Sequence, residues 1–188
     1  MKSKEFDIED LREAVLLSHS KVWGIVSRQK GAGKTYIAKK LVECLEKAGK
    51  KVLYLGFEDK EADSVSLENE MDSISRGIDN TGELSNRKVF LSDYTQIEKT
   101  VYNKDFENLI EKYKKVYNYI IVDIISLEQN SIAKKICSMC DDNMFVITKD
   151  AEDGMELHKT IQQLLAANIS ICGIVMNEYR KKRNWLRM

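Results

Sequence analysis

At 188 residues the chain has the length of one domain, or of one domain with an appendage. Apolar residues make up 43% and charged residues 32%, enough to bury a core, and 30 basic side chains balance 30 acidic ones. Zero net charge argues against a globally basic nucleic-acid binder and a disordered acidic chain. The absence of proline excludes collagen-like, polyproline and proline-rich linker classes. The first residues, MKSKEFDIEDLREAV, are acidic and lack an apolar h-region, so no secretory signal is expected. Apolar stretches are of strand length, short of the roughly 18–20 residues of a membrane helix. A soluble, cytoplasmic chain is expected.

Taken in order, the pattern alternates between helix and strand. Residues 7–18 read as an N-terminal helix with Ile8, Leu11 and Val15 on one face and Asp7 as its cap. VWGIVS (22–27) reads as a buried strand. Residues 35–48 place Ile37, Leu41, Leu45 and Ala48 at helical spacing, and Gly49 ends the run. KKVLYLGF (50–57) is a second strand, 58–87 a polar loop with a short helix, and KVFLS (88–92) a third strand. Asn103 is placed to cap a helix carrying Phe106, Leu109, Ile110 and Tyr113. YIIVDI (119–124) is a near-continuous apolar strand. Ile132, Ala133, Ile136, Cys137 and Cys140 form one helical stripe. MFVIT (144–148) is a strand, Leu157, Ile161, Leu164 and Leu165 mark another helix, and ISICGIVMN (169–177) is the last strand. Strands without polar alternation, separated by helices, predict an α/β doubly wound, mostly parallel sheet covered on both faces. Residues 1–178 are expected to form that single domain, and 179–188 a basic tail. The ligand is expected at the C-terminal ends of the strands. Cys44, Cys137, Cys140 and Cys172 read as small buried thiols. The Cys137–Cys140 C-x-x-C stands without a second pair to complete a metal site.

Chemistry is concentrated in SRQKGAGKTY (27–36), between the first strand and a helix. Gly31 and Gly33 allow a sharp turn in which successive N–H groups face phosphate oxygens. Lys34 brings a point charge to the β- and γ-phosphates, the Thr35 hydroxyl suits Mg²⁺, and the helix N-terminus favours the same anion. The pattern G-x-x-x-x-G-K-[ST] is met except at its first position, which is Arg28. The cradle is expected to comprise Lys30, Gly31, Ala32, Gly33, Lys34, Thr35 and Tyr36. Asp123, ending YIIVD, can hold a Mg²⁺-bound water.

SRQKGAGKT, the helix after it, KKVLYLGFED, YNYIIVD and GIVMN together resemble the MinD/ParA class of P-loop ATPases. Within that class the chain is most similar to the bacterial tyrosine kinases that regulate capsule and exopolysaccharide synthesis, over about residues 9–178. The resemblance implies ATP and Mg²⁺ as cofactors, with Lys34 and Asp123 catalytic, Thr35 and Asp123 on the metal, and Asn177 on the adenine base. Glu9-x-x-Arg12 matches the first part of the ring-packing motif E-x-x-R-x-x-R, whose third position here is Val15. A homo-oligomer is therefore implied. So is a membrane-anchored activator protein.

Several positions depart from that pattern. The strand after the P-loop helix usually ends in D-x-D; here Gly56 stands at the catalytic acid and Glu58 at the second, with Asp59 beside it. Losing a general base typically costs about 10²–10⁴ in rate, so weak or lost catalysis is expected. The lysine that reaches a partner's nucleotide in ParA and MinD proteins is Gln29 here; Lys30, one residue later, is its candidate substitute. Prolines that usually follow the Walker B strand are Ile124 and Ile125. The kinases' terminal tyrosine cluster is reduced to Tyr179. Instead, 180–188 holds five basic residues and no acid, with Trp185 and Leu186, a composition that suits an anionic membrane surface at the inner face of the membrane, an acidic partner or nucleic acid, or a solvated, solubilising end. The acidic stretch 58–72 follows the strand that ends at Gly56. No specific nucleic acid is expected. The implied function is an ATP-binding regulator on the tyrosine-kinase scaffold. The alternatives are a ParA/MinD-type ATPase that positions a cellular, secretion or pilus apparatus, and an interaction module that no longer binds nucleotide.

Overall fold

The computed structural model describes residues 8–57, 87–90, 98, 101–103, 105–129, 131–148 and 154–177, with only the backbone for 87–90. The acidic stretch 58–72 with Glu58 and Asp59, the cap at Asp7 and the basic tail 179–188 lie outside these residues. The elements in chain order are α1 (Ile8–Leu17), β1 (Val22–Val26), α2 (Lys34–Lys47), β2 (Val52–Gly56), β3 (Arg87–Phe90), α3 (Asp105–Tyr113), β4 (Tyr119–Asp123), α4 (Ile132–Cys137), β5 (Asp142–Thr148), α5 (Gly154–Ala166) and β6 (Gly173–Asn177).

The six strands form one sheet in the order β3-β2-β4-β1-β5-β6, and every pair is parallel. β1 and β2 are buried at every position, which is why neither alternates in sequence. Odd and even positions feed two different cores. Trp23, Ile25, Val52, Tyr54, Ile121, Met144 and Val175 face α1 and α2 with Leu11, Val15, Ile37, Leu41 and Leu45. Val22, Val26, Leu53, Leu55, Ile120, Val122, Phe145 and Ile147 face α3, α4 and α5 with Phe106, Leu109, Ile110, Ile136 and Leu164. The doubly wound reading is thus correct.

Helix α2 ends where expected. Gly49 adopts φ 73°, and the Lys50 N–H reaches back 3.1 Å to the Leu45 carbonyl, a closure that favours glycine. Three expectations need adjustment. Helix α4 stops at Cys137, so Cys140 lies in the turn after it, although it is still buried against the same core. Cys172, expected as a buried thiol, is exposed, because it immediately precedes the edge strand β6, most of whose positions are exposed as well. The last strand starts at Gly173 rather than residue 169; Ile169 is buried ahead of it.

One close approach sets the register at the centre of the sheet. Gly24 of β1 pairs with Asn143 of β5, and any β-carbon at Gly24 would overlap the Asn143 side-chain oxygen. The Asn143 amide nitrogen donates to the carbonyls of Cys137 at 3.0 Å and Ser170 at 2.9 Å. A buried polar side chain thereby ties the end of α4 to the entry of β6, and glycine makes the room for it.

Candidate functional site

The loop between β1 and α2 is held open by two left-handed glycines, Gly31 at φ 86° and Gly33 at φ 91°. Gly33 is constrained twice. Its torsion disfavours side chains, and a β-carbon there would overlap the Asn177 amide. Asn177, at the end of β6, donates 3.0 Å to the Ala32 carbonyl. The last strand therefore braces the loop directly, and the residue expected to read adenine instead supports the loop expected to cradle phosphate.

Lys34 opens α2 and points back into the loop, donating 3.0 Å to the Ser27 hydroxyl. Ser27 is fully buried and in turn donates 2.6 Å to the Gln29 carbonyl. Burial pushes the Lys34 ammonium below its ordinary value, while the negative charge of Asp123 opposes that shift and Lys30 adds to it. An ammonium that is hard to keep charged without an anion is a natural partner for phosphate. Lys30, Gly31 and Tyr36 are exposed, Ala32 is buried and Thr35 is half-buried in the first turn of α2.

Asp123 is only 3% exposed. The register of β4 puts it beside Ile25 of β1, two residues before the loop begins, and beside Gly56 of β2. The Tyr54 hydroxyl donates 2.9 Å to Asp123 Oδ2. Beyond Asp123 the chain keeps pairing with β1 and the loop. Ile124 N–H donates to the Ile25 carbonyl at 3.0 Å, Leu127 N–H to Ser27 at 3.0 Å, and Glu128 N–H to Arg28 at 3.1 Å. The missing proline has a use here, since a proline at 124 would lack the first of these donors. Arg28, at the pattern's missing glycine, adds ion pairs to Glu128 at 2.9 Å and Glu156 of α5 at 3.9 Å. On α1, Arg12 pairs with Glu9 of its own helix.

The donors fit a magnesium nucleotide. Mg²⁺ is ordinarily held by one or two protein oxygens, phosphate oxygens and water. Asp123 and Thr35 offer an all-oxygen set, and no group of three metal-ligating side chains exists among the described residues to suggest a resident metal cage. Sequence reasoning missed Tyr54, Ser27 and the Arg28 ion pairs. Only Tyr54 left a signal, a polar-tipped ring inside an otherwise aliphatic buried strand.

No protein-family model and no curated protein sequence matches the chain. Solved structures do. The kinase domain of the Escherichia coli tyrosine kinase ETK matches with TM-score 0.74 and 16% identity, over 96% of this chain and 76% of that one. The VpsO kinase domain matches with TM-score 0.67 and 17% identity, over 92% and 98%. The septum site-determining protein MinD from Pyrococcus horikoshii OT3, solved with Mg-ADP, matches with TM-score 0.64 and 19% identity, over 87% and 72%. The chain thus has the fold shared by bacterial tyrosine kinase domains and the MinD/ParA-class P-loop ATPases.

Proposed function

We propose that the chain is an ATP- and Mg²⁺-binding regulator in which nucleotide state, rather than rapid chemistry, is the output. The observation that supports this best is the half-buried Lys34 ammonium inside a glycine-turned loop at the head of α2, within the field of a buried Asp123. Loop N–H groups and Lys34 would hold the phosphates, and Thr35 and Asp123 the metal. The metal, when bound, would neutralise charge on the phosphates. Asn177 would hold the loop in shape for the nucleotide. Weak turnover is supported by Gly56. It ends β2 in register with Asp123 and has no side chain to orient an attacking hydroxyl or water. In this reading the partner is a membrane protein of exopolysaccharide synthesis, with the basic segment 180–188 turned to an anionic membrane surface.

Calorimetric titration with Mg-ATP tests the binding. The wild type should bind, and Lys34→Met should bind at least about tenfold more weakly, as loss of a charge-assisted phosphate contact requires. Radiolabelled ATP tests the chemistry, with little Lys34-dependent turnover or tyrosine phosphorylation expected. Brisk transfer abolished by Lys34→Met would overturn the weak-catalyst half. No binding by the wild type at millimolar Mg-ATP would replace the whole reading with that of a nucleotide-independent interaction module.

A further inference from the structure

The bond between Tyr54 and Asp123 joins a buried phenol on β2 to the carboxylate that ends β4. Tyr54 is fully buried and points to the α1–α2 face. Its ring lies under α2, with the Lys39 ammonium 5.9 Å from the ring centroid. A phenylalanine would fill that space equally well, so packing accounts for the ring but not for the hydroxyl. The register partner of Tyr54 is Ile121, which offers no acceptor; the hydroxyl reaches two residues further along β4 to Asp123. Gly56, the true register partner of Asp123, has no side chain to hold that carboxylate. Tyr54, two residues earlier on the same face of β2, supplies the hold instead.

We infer that Tyr54 is a positioning residue for the metal-binding carboxylate: its phenol fixes the orientation of Asp123 toward the Mg²⁺ that accompanies a bound nucleotide. The inference rests on the nucleotide-binding reading above. Its chemistry is that of a donor bound to an anion in a water-poor site, a strong type of hydrogen bond. A carboxylate has about four acceptor sites, so one bond from a phenol sets its direction and leaves capacity for a metal-bound water. Asp123 then has two groups acting on it, the phenol that donates to it and the Lys34 ammonium whose charge it feels. A neutral donor at this place orients the carboxylate without adding a second negative charge. A site built this way can hold Mg-nucleotide while lacking a base.

A fluorescent ATP analogue, titrated into wild type and Tyr54→Phe with excess EDTA and then with Mg²⁺, tests this. Metal-free affinity should stay within about twofold, whereas the Mg²⁺ enhancement should drop by about tenfold, the size expected for losing a hydrogen bond to a charged group. Asp123→Asn should remove the enhancement, and adding Tyr54→Phe to it should change nothing more, because the phenol acts through that carboxylate. Electron paramagnetic resonance of the Mn²⁺-nucleotide complex should differ between wild type and Tyr54→Phe. Should Tyr54→Phe fold poorly, 3-fluorotyrosine at position 54 keeps ring and donor. It should move the Mg²⁺ enhancement and leave the melting temperature unchanged. Full Mg²⁺ enhancement in Tyr54→Phe, or an equal effect of the substitution with Asp123 already replaced, overturns the inference. A wild type that binds no nucleotide with or without Mg²⁺ overturns the nucleotide reading and this inference with it.

Discussion

Lys34 holds a half-buried ammonium at a cost to the fold. Burial lowers its pKa from the ordinary 10.5, Asp123 works against that and Lys30 with it, and the net shift is downward. Between the lowered folded value and 10.5 the unfolded chain binds more protons than the folded one, so the lysine's contribution to stability improves as pH rises through that window. Below it, the charged ammonium is a net burden on the empty fold. Lys34→Met should therefore leave the nucleotide-free protein about as stable as wild type at pH 7, or slightly more so. The comparison should shift in favour of wild type as the pH is raised toward 10. With Mg-ATP at a hundredfold excess over the wild-type dissociation constant, wild type should gain about 5–10 °C in melting temperature, and Lys34→Met, binding at least about tenfold more weakly, should gain at most about half of that. Thermal melts of both proteins across pH, with and without nucleotide, check each part. A large loss of stability in the empty variant would mean that the Ser27 bond and the Asp123 charge outweigh burial.

At the scale of elements, the β1–β5 pairing depends on Gly24. A methyl group there would overlap Asn143 and press on Ile124, and Asn143 is anchored to the Cys137 and Ser170 carbonyls. Gly24→Ala should cost about 1–3 kcal/mol, as overpacking of a tight core does, and should lower the urea midpoint with little change in slope. An unchanged midpoint would show that Asn143 swings away freely. The same comparison shows what the sequence revealed and what it concealed. Strands, helices and the glycine-turned loop between β1 and α2 were legible because apolar periodicity and glycine turn chemistry are local signals. Gly24 read as one more position in an apolar strand, since its reason is a side chain 119 residues away. Tyr54 showed as a polar-tipped ring in an aliphatic strand, but its bond, like those of Arg28, stayed hidden for the same cause: the partners Asp123 and Glu128 lie 69 and 100 residues on. Helix α4 was drawn too long because Cys140 continues its apolar stripe after the backbone has turned.

For the whole molecule, the four cysteines report on different parts of the fold: one core, the seam between α1 and α2, and the exposed edge by β6. Cys137 and Cys140 are buried in the core under α3, α4 and α5. Cys44 is buried on α2, on the other side of the sheet, and only Cys172 is exposed. Burial pushes the Cys137 thiol up to about 12 and the Cys140 thiol well above its ordinary value, and the neighbouring Asp141 and Cys137 charges add to the latter. Cys172 is also raised, to about 11, by partial burial of its sulfur and then by Asp142; its thiol lies 3.3 Å from the Asn143 carbonyl. Only thiolate reacts with disulfide reagents. Native protein should thus expose one slow thiol, Cys172, whose rate climbs about tenfold per pH unit through pH 9, because its raised pKa stays ahead of the solution. The other three should react only as the sheet opens, with rates that follow denaturant and not pH alone. Mass spectrometry after pulsed labelling separates the sites, and bound Mg-ATP should slow Cys44, whose helix α2 begins at the phosphate loop, more than it slows Cys172. Labelling of Cys137 as fast as Cys172 in native buffer would mean that the face covered by α3, α4 and α5 opens independently of the nucleotide face, and the two cores would then be separate cooperative units.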